Sequence, residues 1–329
     1  MIYRIVAMLL IACVPIPAAL ASGHGEAAAA DAPVELSVTA LRGPTGVGVA
    51  PYLGDGSFST MSAELRFDVV ADPPTMIARL VSGETDIGML PSNVVAQLYN
   101  RGVPVQIAAV SLWGLLYVVG DDPAINAWED LAGRTVHSVG QGATPDILAR
   151  HLSERNGIDP DTDLELSFRY PPTELAQLMV AGEIDLALVP EPFVTQVTSR
   201  RSELGVLIDL QAEWARFYGG RYPQTVLVVR SDAAREHPAA VSEALALVEQ
   251  GWRDMVADPA VAGELVAASA LGLPGPVVER AIPRFNAEYV DAREAQDALN
   301  QYFAVLFEAN PRSVGGAVPD SGIFLDLGE

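Results

Sequence analysis

Two stretches of the chain repeat one another in their spacing of apolar and polar residues. PPTMIARLVSGETDIGMLP (Pro73 to Pro91) and PPTELAQLMVAGEIDLALVP (Pro171 to Pro190) differ by one inserted residue. Each opens on Pro-Pro-Thr, runs through a helical apolar stretch to Gly-Glu-x-Asp, and closes with an apolar run and a proline. Gly83 and Gly182 sit where the helix must end, since glycine takes the left-handed conformation that satisfies the last carbonyls. The runs DIGML and DLALV then read as buried central strands, each ending at a proline that cannot continue the ladder. The Gly-Glu-x-Asp signature is therefore mainly structural.

The repeat extends outward. AELRFDVV (63–70) and DLELSFRY (163–170), ahead of the two passages, alternate apolar and polar residues as strands do. Further upstream, ELSVTAL leads into RGPTGVGVAPYL, and RTVHSV leads into GQGATPDILARHL: a strand, a glycine-rich turn and a helix start in each case. Downstream, VQIAAV and LLYVVG (105–120) correspond to GVLIDL and TVLVVR (205–230). Alternating strands and helices with short loops predict mainly parallel sheets covered on both faces, an α/β fold with two similar lobes. After Arg230 the chain reads as helical to its end, through PAAVSEALALVEQGWRDMVADP, PVVERAIPRF and AREAQDALNQYFAVLFEAN, and is expected to pack back onto the first lobe. The predicted division is a signal peptide over 1–21, a flexible N-terminal segment over 22–33, the first part of lobe 1 over 34–114, lobe 2 with its two hinge crossings over 115–229, and the helical return over 230–329.

Length agrees, because 329 residues exceed one ordinary core. Met1 to Arg4 is a short basic start, Ile5 to Val14 is apolar but too short to span a bilayer, and Ala19-Leu20-Ala21 offers a cleavage site. Leu10-Ile11-Ala12-Cys13 is a competing lipoprotein box, but its tether would begin with the apolar VPIPAALA; the soluble exported form is preferred. Cys13 is the one cysteine, so the mature chain has no disulfide, thiolate nucleophile or Cys-ligated metal. A net charge of −22 argues against nucleic acid and anionic membranes as partners. The basic residues are all arginine, which excludes lysine Schiff-base chemistry. His24, His137, His151 and His237 have no metal-ligand spacing, and the Gly-x-Gly at Gly140 lacks the third glycine of a dinucleotide fingerprint; no metal or cofactor is expected.

LVSGETDIGMLP, WEDLAGRTVHSVGQGATP, LMVAGEIDLALVPEP, YPQTVLVVRSD and the closing NPRSVGGAVPD together resemble the periplasmic substrate-binding proteins of ABC importers. The likeness is to the type II, two-crossing class, in the nitrate/sulfonate/taurine and thiamine-pyrimidine-precursor branch, from about Val34 to the end. It implies two Rossmann-like lobes with a ligand cleft between them. It implies a monomeric periplasmic protein without catalysis that delivers a small molecule to permease and ATPase subunits. Two rivals are an enzyme of cofactor biosynthesis on the same fold and a ligand sensor that docks on a receptor. The export signal counts against the first, and so does the lack of lysine and of a cysteine cluster.

Open α/β sheets bind ligands beyond the carboxyl ends of their strands. That rule places Ser92, Asn93 and Glu191 at the rim. Arg42-Gly43-Pro44-Thr45 and Gln141-Gly142 with Thr144 would face each other with free backbone N–H groups and hydroxyls at helix N-termini. Ser111 and Trp113 precede the first crossing at the hinge floor, and Gln224 is a further candidate for ligand binding. Trp113 would either stack on a flat ligand or belong to the interlobe core. Tyr170, with Tyr218 and Tyr222, would contribute to an aromatic wall, and Glu191 would receive a ligand amine or ring N–H. A sulfonate-like anion would call on the helix N-termini and Arg42. A nitrogen heterocycle, slightly favoured, would call on Trp113 and Glu191.

Cleavage is expected after Ala21, giving a soluble protein that starts at Ser22. Intact-mass analysis of the exported protein checks this, and a diacylated Cys13 at the mature N-terminus would overturn it.

Overall fold

The computed structural model describes residues 33–54 and 57–328. The expected signal peptide, Cys13 and nearly all of the expected N-terminal segment lie outside them. The first half comprises β1 (Val34–Leu41), a 3-10 segment (Pro44–Tyr52), β2 (Phe58–Ser59), β3 (Ala63–Val70), α1 (Pro73–Ser82), β4 (Ile87–Pro91), α2 (Ser92–Asn100), β5 (Val105–Trp113) and β6 (Leu116–Gly120). The second comprises β7 (Thr135–Ser138), α3 (Thr144–Arg155), β8 (Glu165–Ser167), α4 (Pro172–Ala181), β9 (Leu186–Pro190), α5 (Phe193–Thr198), β10 (Gly205–Asp209), α6 (Leu210–Tyr218) and β11 (Pro223–Arg230). The return adds α7 (Ser231–Glu236), α8 (Pro238–Ala257), α9 (Pro259–Ala268), α10 (Gly275–Ala281), β12 (Ala287–Asp291) and α11 (Gln296–Ala309).

The repeated passages form the same unit twice. Asp72 caps α1 by accepting from the Thr75 N–H, and Gly83 ends the helix at φ 84°. Gly182 ends α4 at φ 76°. A left-handed residue lets the chain turn sharply into β4 and β9, which lie inside their sheets with their apolar side chains largely buried.

The larger sheet has the order β12-β5-β11-β4-β1-β3-β2, and the smaller β10-β6-β9-β7-β8. Within each, three strands run parallel: β3, β1 and β4 in one, β8, β7 and β9 in the other. The strand beside β4 is β11, antiparallel and from the second half; the strand beside β9 is β6, antiparallel and from the first. Each half thus gives its last strand to the other sheet, which creates the two crossings.

Three features depart from the sequence expectation. Six strand pairings among the described residues are antiparallel and four parallel, because strands exchanged between the halves and strands added at the edges run against the parallel core of each sheet. The span 115–229 includes β11, which belongs to the larger sheet. The return is not wholly helical, because β12 pairs antiparallel with β5 and covers an edge that would otherwise stay open. The five residues of β12 carry too little alternation to stand out beside long helical patterns.

One apolar cluster runs through both lobes, from Leu90 and Trp113 through Trp214 and Tyr302 to Leu152. A second lies behind the larger sheet, where α8 presses on the 3-10 segment through glycine. A Cβ on Gly251 would lie 1.9 Å from the Gly48 carbonyl oxygen, and one on Gly48 would enter the Trp252 ring. Gly251→Ala is therefore expected to cost about 1–3 kcal/mol through forced backbone separation. Gly205→Ala, at a site with open space around it, should change stability much less. Urea unfolding of both variants checks the contrast.

Candidate functional site

The crossings meet at Gly114, whose polar groups are satisfied by side chains rather than by a ladder. The Gln211 Oε1 on α6 accepts from the N–H of Gly114 at 3.1 Å and from that of Tyr222 at 3.2 Å, one on each crossing. The Asn286 Nδ2, just before β12, donates to the Gly114 carbonyl. The Glu191 N–H donates to the Leu115 carbonyl at 3.0 Å. A Cβ on Gly114 would lie 2.3 Å from the Tyr222 ring and 2.7 Å from the Gln211 Oε1, so only glycine fits. Sequence reasoning missed Gln211 and Asn286. Asn286 is the one non-glycine residue with positive φ (48°) among the described residues, and nothing local in the sequence marks Gln211.

Glu191 stands at the carboxyl end of β9, but its carboxylate is already engaged. It accepts from the Arg284 Nε at 2.5 Å, the Thr195 N–H at 3.0 Å and the Thr195 hydroxyl at 2.9 Å, with its side chain fully buried. Arg284 also donates to the Thr195 hydroxyl, and its carbonyl accepts from the Tyr117 phenol on β6 at 2.8 Å. The segment around Arg284 and Asn286, attached to the larger sheet, thus braces β6 and β9 of the smaller one. Burial pushes the Glu191 carboxyl above its ordinary 4.5, against the downward pull of Arg284 and Thr195. Burial also raises Asp209, although it accepts from the N–H groups of Gln211 and Ala212.

Trp113 takes the core option of its two. It is 3 % exposed, its Nε1 donates to the Glu288 carbonyl, and the Arg221 guanidinium lies 4.2 Å above its ring. The two glycine turns are also less open than expected. The Gly43 N–H donates to the Leu271 carbonyl at 3.0 Å and the Gly142 N–H to the Asp146 carboxylate at 2.8 Å. Neither threonine caps its helix. Thr45 lies inside the 3-10 segment and donates to the Leu41 carbonyl, while Thr144, the first residue of α3, accepts from the Tyr302 phenol.

Among the rim residues, Ser92 is buried and donates to the Pro223 carbonyl at 2.7 Å, and Asn93 reaches the Ser313 carbonyl. Arg42 and Gln141 are exposed and Pro44 is half-buried. Tyr170 is half-buried, its ring 6.0 Å from that of His137. Ser111 and Gln224 differ from all of these: the Ser111 Oγ and the Gln224 Oε1 are buried and have no hydrogen-bond partner among the described residues. The structure therefore brings Ser92, Ser111, Trp113 and Gln224 together at the end of the β4-β11-β5 ladder, and Glu191 beside the first crossing. Arg42 and Gly43 lie further off, at the end of β1, the second strand from β11 in the sheet.

Residues 57–262, more than half of the chain, match the family described as NMT1/THI5 like. The chain belongs to the NMT1/THI5-like family. Among curated proteins, the nitrate/nitrite binding protein NrtA of Synechococcus elongatus is 27 % identical over 183 residues, 54 % of this chain and 39 % of that protein. The chain thus spans well under half the length of that relative. Among solved structures, an ABC transporter protein from Parabacteroides distasonis superposes with a TM-score of 0.77 and 26 % identity, over 89 % of this chain and 99 % of the other. The periplasmic aliphatic sulphonate binding protein SsuA of Escherichia coli gives 0.67 at 17 % identity, over 89 % and 96 %. The fold of this NMT1/THI5-like chain is that of the periplasmic binding proteins.

Glu191 generates a pH prediction. A carboxyl whose folded pKa is raised contributes stability fully below its unfolded value, and that contribution is lost as pH rises through the folded value. Glu191→Gln should therefore gain on the wild type as pH rises from about 4.5 upward, in urea unfolding at a series of pH values. A difference independent of pH would contradict the raised pKa.

Proposed function

We propose that this chain is the extracytoplasmic solute-binding component of an ABC importer, which captures a small polar solute between its lobes and hands it on without turnover. The observation that carries the reading is the pair of crossings clamped at Gly114, which join two sheets built from exchanged strands. Such a hinge offers an open and a closed arrangement. A ligand that touches both lobes favours the closed one, and only that differential affinity drives closure. Family membership supports the reading, as do the binding proteins for nitrate/nitrite and for aliphatic sulphonates among its relatives. The cargo is drawn from the nitrogen heterocycles or the sulfonate-like anions. Arg42 makes no ion pair among the described residues and is open to an acidic group, whereas Glu191 is already paired.

A ligand seen only by the folded state adds about 2.7 kcal/mol at a hundred times its dissociation constant. For a chain of this size that raises the melting midpoint by roughly 5 °C or more. Thermal-shift screening of nitrate, sulfonates, taurine, pyrimidines and related heterocycles is expected to find such a ligand, and X-ray scattering should then show a smaller radius. A compound consumed during incubation would mean an enzyme, and tight binding without compaction would sink the closure model.

A further inference from the structure

We propose that Ser111 and Gln224 are the groups that read the solute, and that the end of the solute they hold is uncharged, with a hydrogen-bond donor and acceptor side by side, as in an amide, a ureide or a ring lactam. This rests on the solute-binding reading and names the site within it.

The ladder between β5 and β11 aligns Val110 with Val226, Leu112 with Thr225, and Trp113 with Pro223. Between the first two pairs β5 advances two residues while β11 advances one, so Ser111 is extra. Between the last two pairs β11 has the additional residue, and it is Gln224. Two opposed bulges therefore flank a single residue pair, about one strand rise of 3.3 Å on either side of it. A bulge takes its extra residue out of the regular alternation and re-aims its side chain.

Both bulged residues carry a polar atom that is buried and unpartnered among the described residues, and Ser111 is 0 % exposed. Folded interiors seldom leave such an atom unmet, because burial without a hydrogen bond forfeits its hydration. Both also sit where the lobes articulate: Ser111 is three residues before Gly114, and Gln224 two after Tyr222, the backbone groups that Gln211 clamps.

The charges around this floor are already matched. Glu191 is paired with Arg284, Arg221 with Glu288, and Asp209 accepts from its own helix. Arg42 follows β1, the second strand from β11, about 10 Å away at the usual strand spacing. The bulges leave unmet a hydroxyl and a carboxamide, each able to donate and accept, and the buried Tyr222 phenol against Gly114 is unpartnered among the described residues too. An oxyanion would call for charged or multiple N–H donors. A neutral amide edge matches the pair.

The empty protein supplies the first test. Ser111→Ala and Gln224→Leu remove an unmet polar atom, so each should raise its melting midpoint by a few degrees. A fall in both would mean that the fold itself satisfies these atoms, and would overturn the assignment. The second test titrates refolded protein with urea, uracil and 2-pyrrolidone against nitrate, sulfate and methanesulfonate. The uncharged set should raise the wild-type midpoint, with affinity falling tenfold or more in both variants. Binding of anions alone that survives in both variants and is lost in Arg42→Gln would leave the solute-binding reading standing and remove this site. Binding of anions alone that both variants abolish would keep the residues and overturn the uncharged class. No shift with either set, together with no carried-over molecule in native mass spectrometry, would overturn both.

Discussion

Gly114 is the place where the two lobes are held to one another, and its lack of a side chain is what permits it. The Tyr222 ring occupies the space of its Cβ, the Gln211 carboxamide takes its N–H, and the Asn286 carboxamide reaches its carbonyl. Backbone that leaves a sheet must find partners elsewhere or lose its hydration. Here the partners come from α6 of the smaller lobe and from the segment that feeds β12 of the larger. The crossing is thereby satisfied without a third strand beside it, and the two chains that pass between the sheets are tied to a single oxygen.

The exchange of last strands follows from the same arrangement. Because β6 completes the smaller sheet and β11 the larger, neither half of the sequence forms its lobe alone. The return then braces the pair on two sides, with α10 against α5 and α11 against α3 and α2. Arg284 concentrates this bracing: one residue reaches Glu191, Thr195 and, through its carbonyl, Tyr117. The buried carboxylate at the end of β9 is compensated from within, so Glu191 works as an interlobe tie and is not free to meet a ligand amine.

Much of the fold was legible in the chain. The doubled passage marked α1, β4, α4 and β9, since a left-handed glycine and a terminating proline act over a few residues. The alternation of strands and helices and the helices of the return were visible for the same reason, whereas the predominance of antiparallel pairing was not. The candidate site was legible in outline only. Gly43, Gly142, Trp113 and Glu191 were recognisable as residues at strand ends, but each meets an internal partner that lies outside its local pattern or, for Asp146, that spacing alone did not reveal. Ser111 and Gln224 carried no stronger signal than these.

What the sequence determined by itself was the set of elements, their doubling, the absence of lysine, and the family. All of these depend on composition or on neighbours within one turn or one strand. What only the tertiary structure decided was which polar groups are spoken for. Glu191 meets Arg284 across 93 residues and Gln211 meets Gly114 across 97, and no periodicity reaches that far. The bulges at Ser111 and Gln224 arise from the register of two strands that are distant in sequence. Register is a property of the pair, fixed by the packing on both faces of the sheet, and neither strand states it alone.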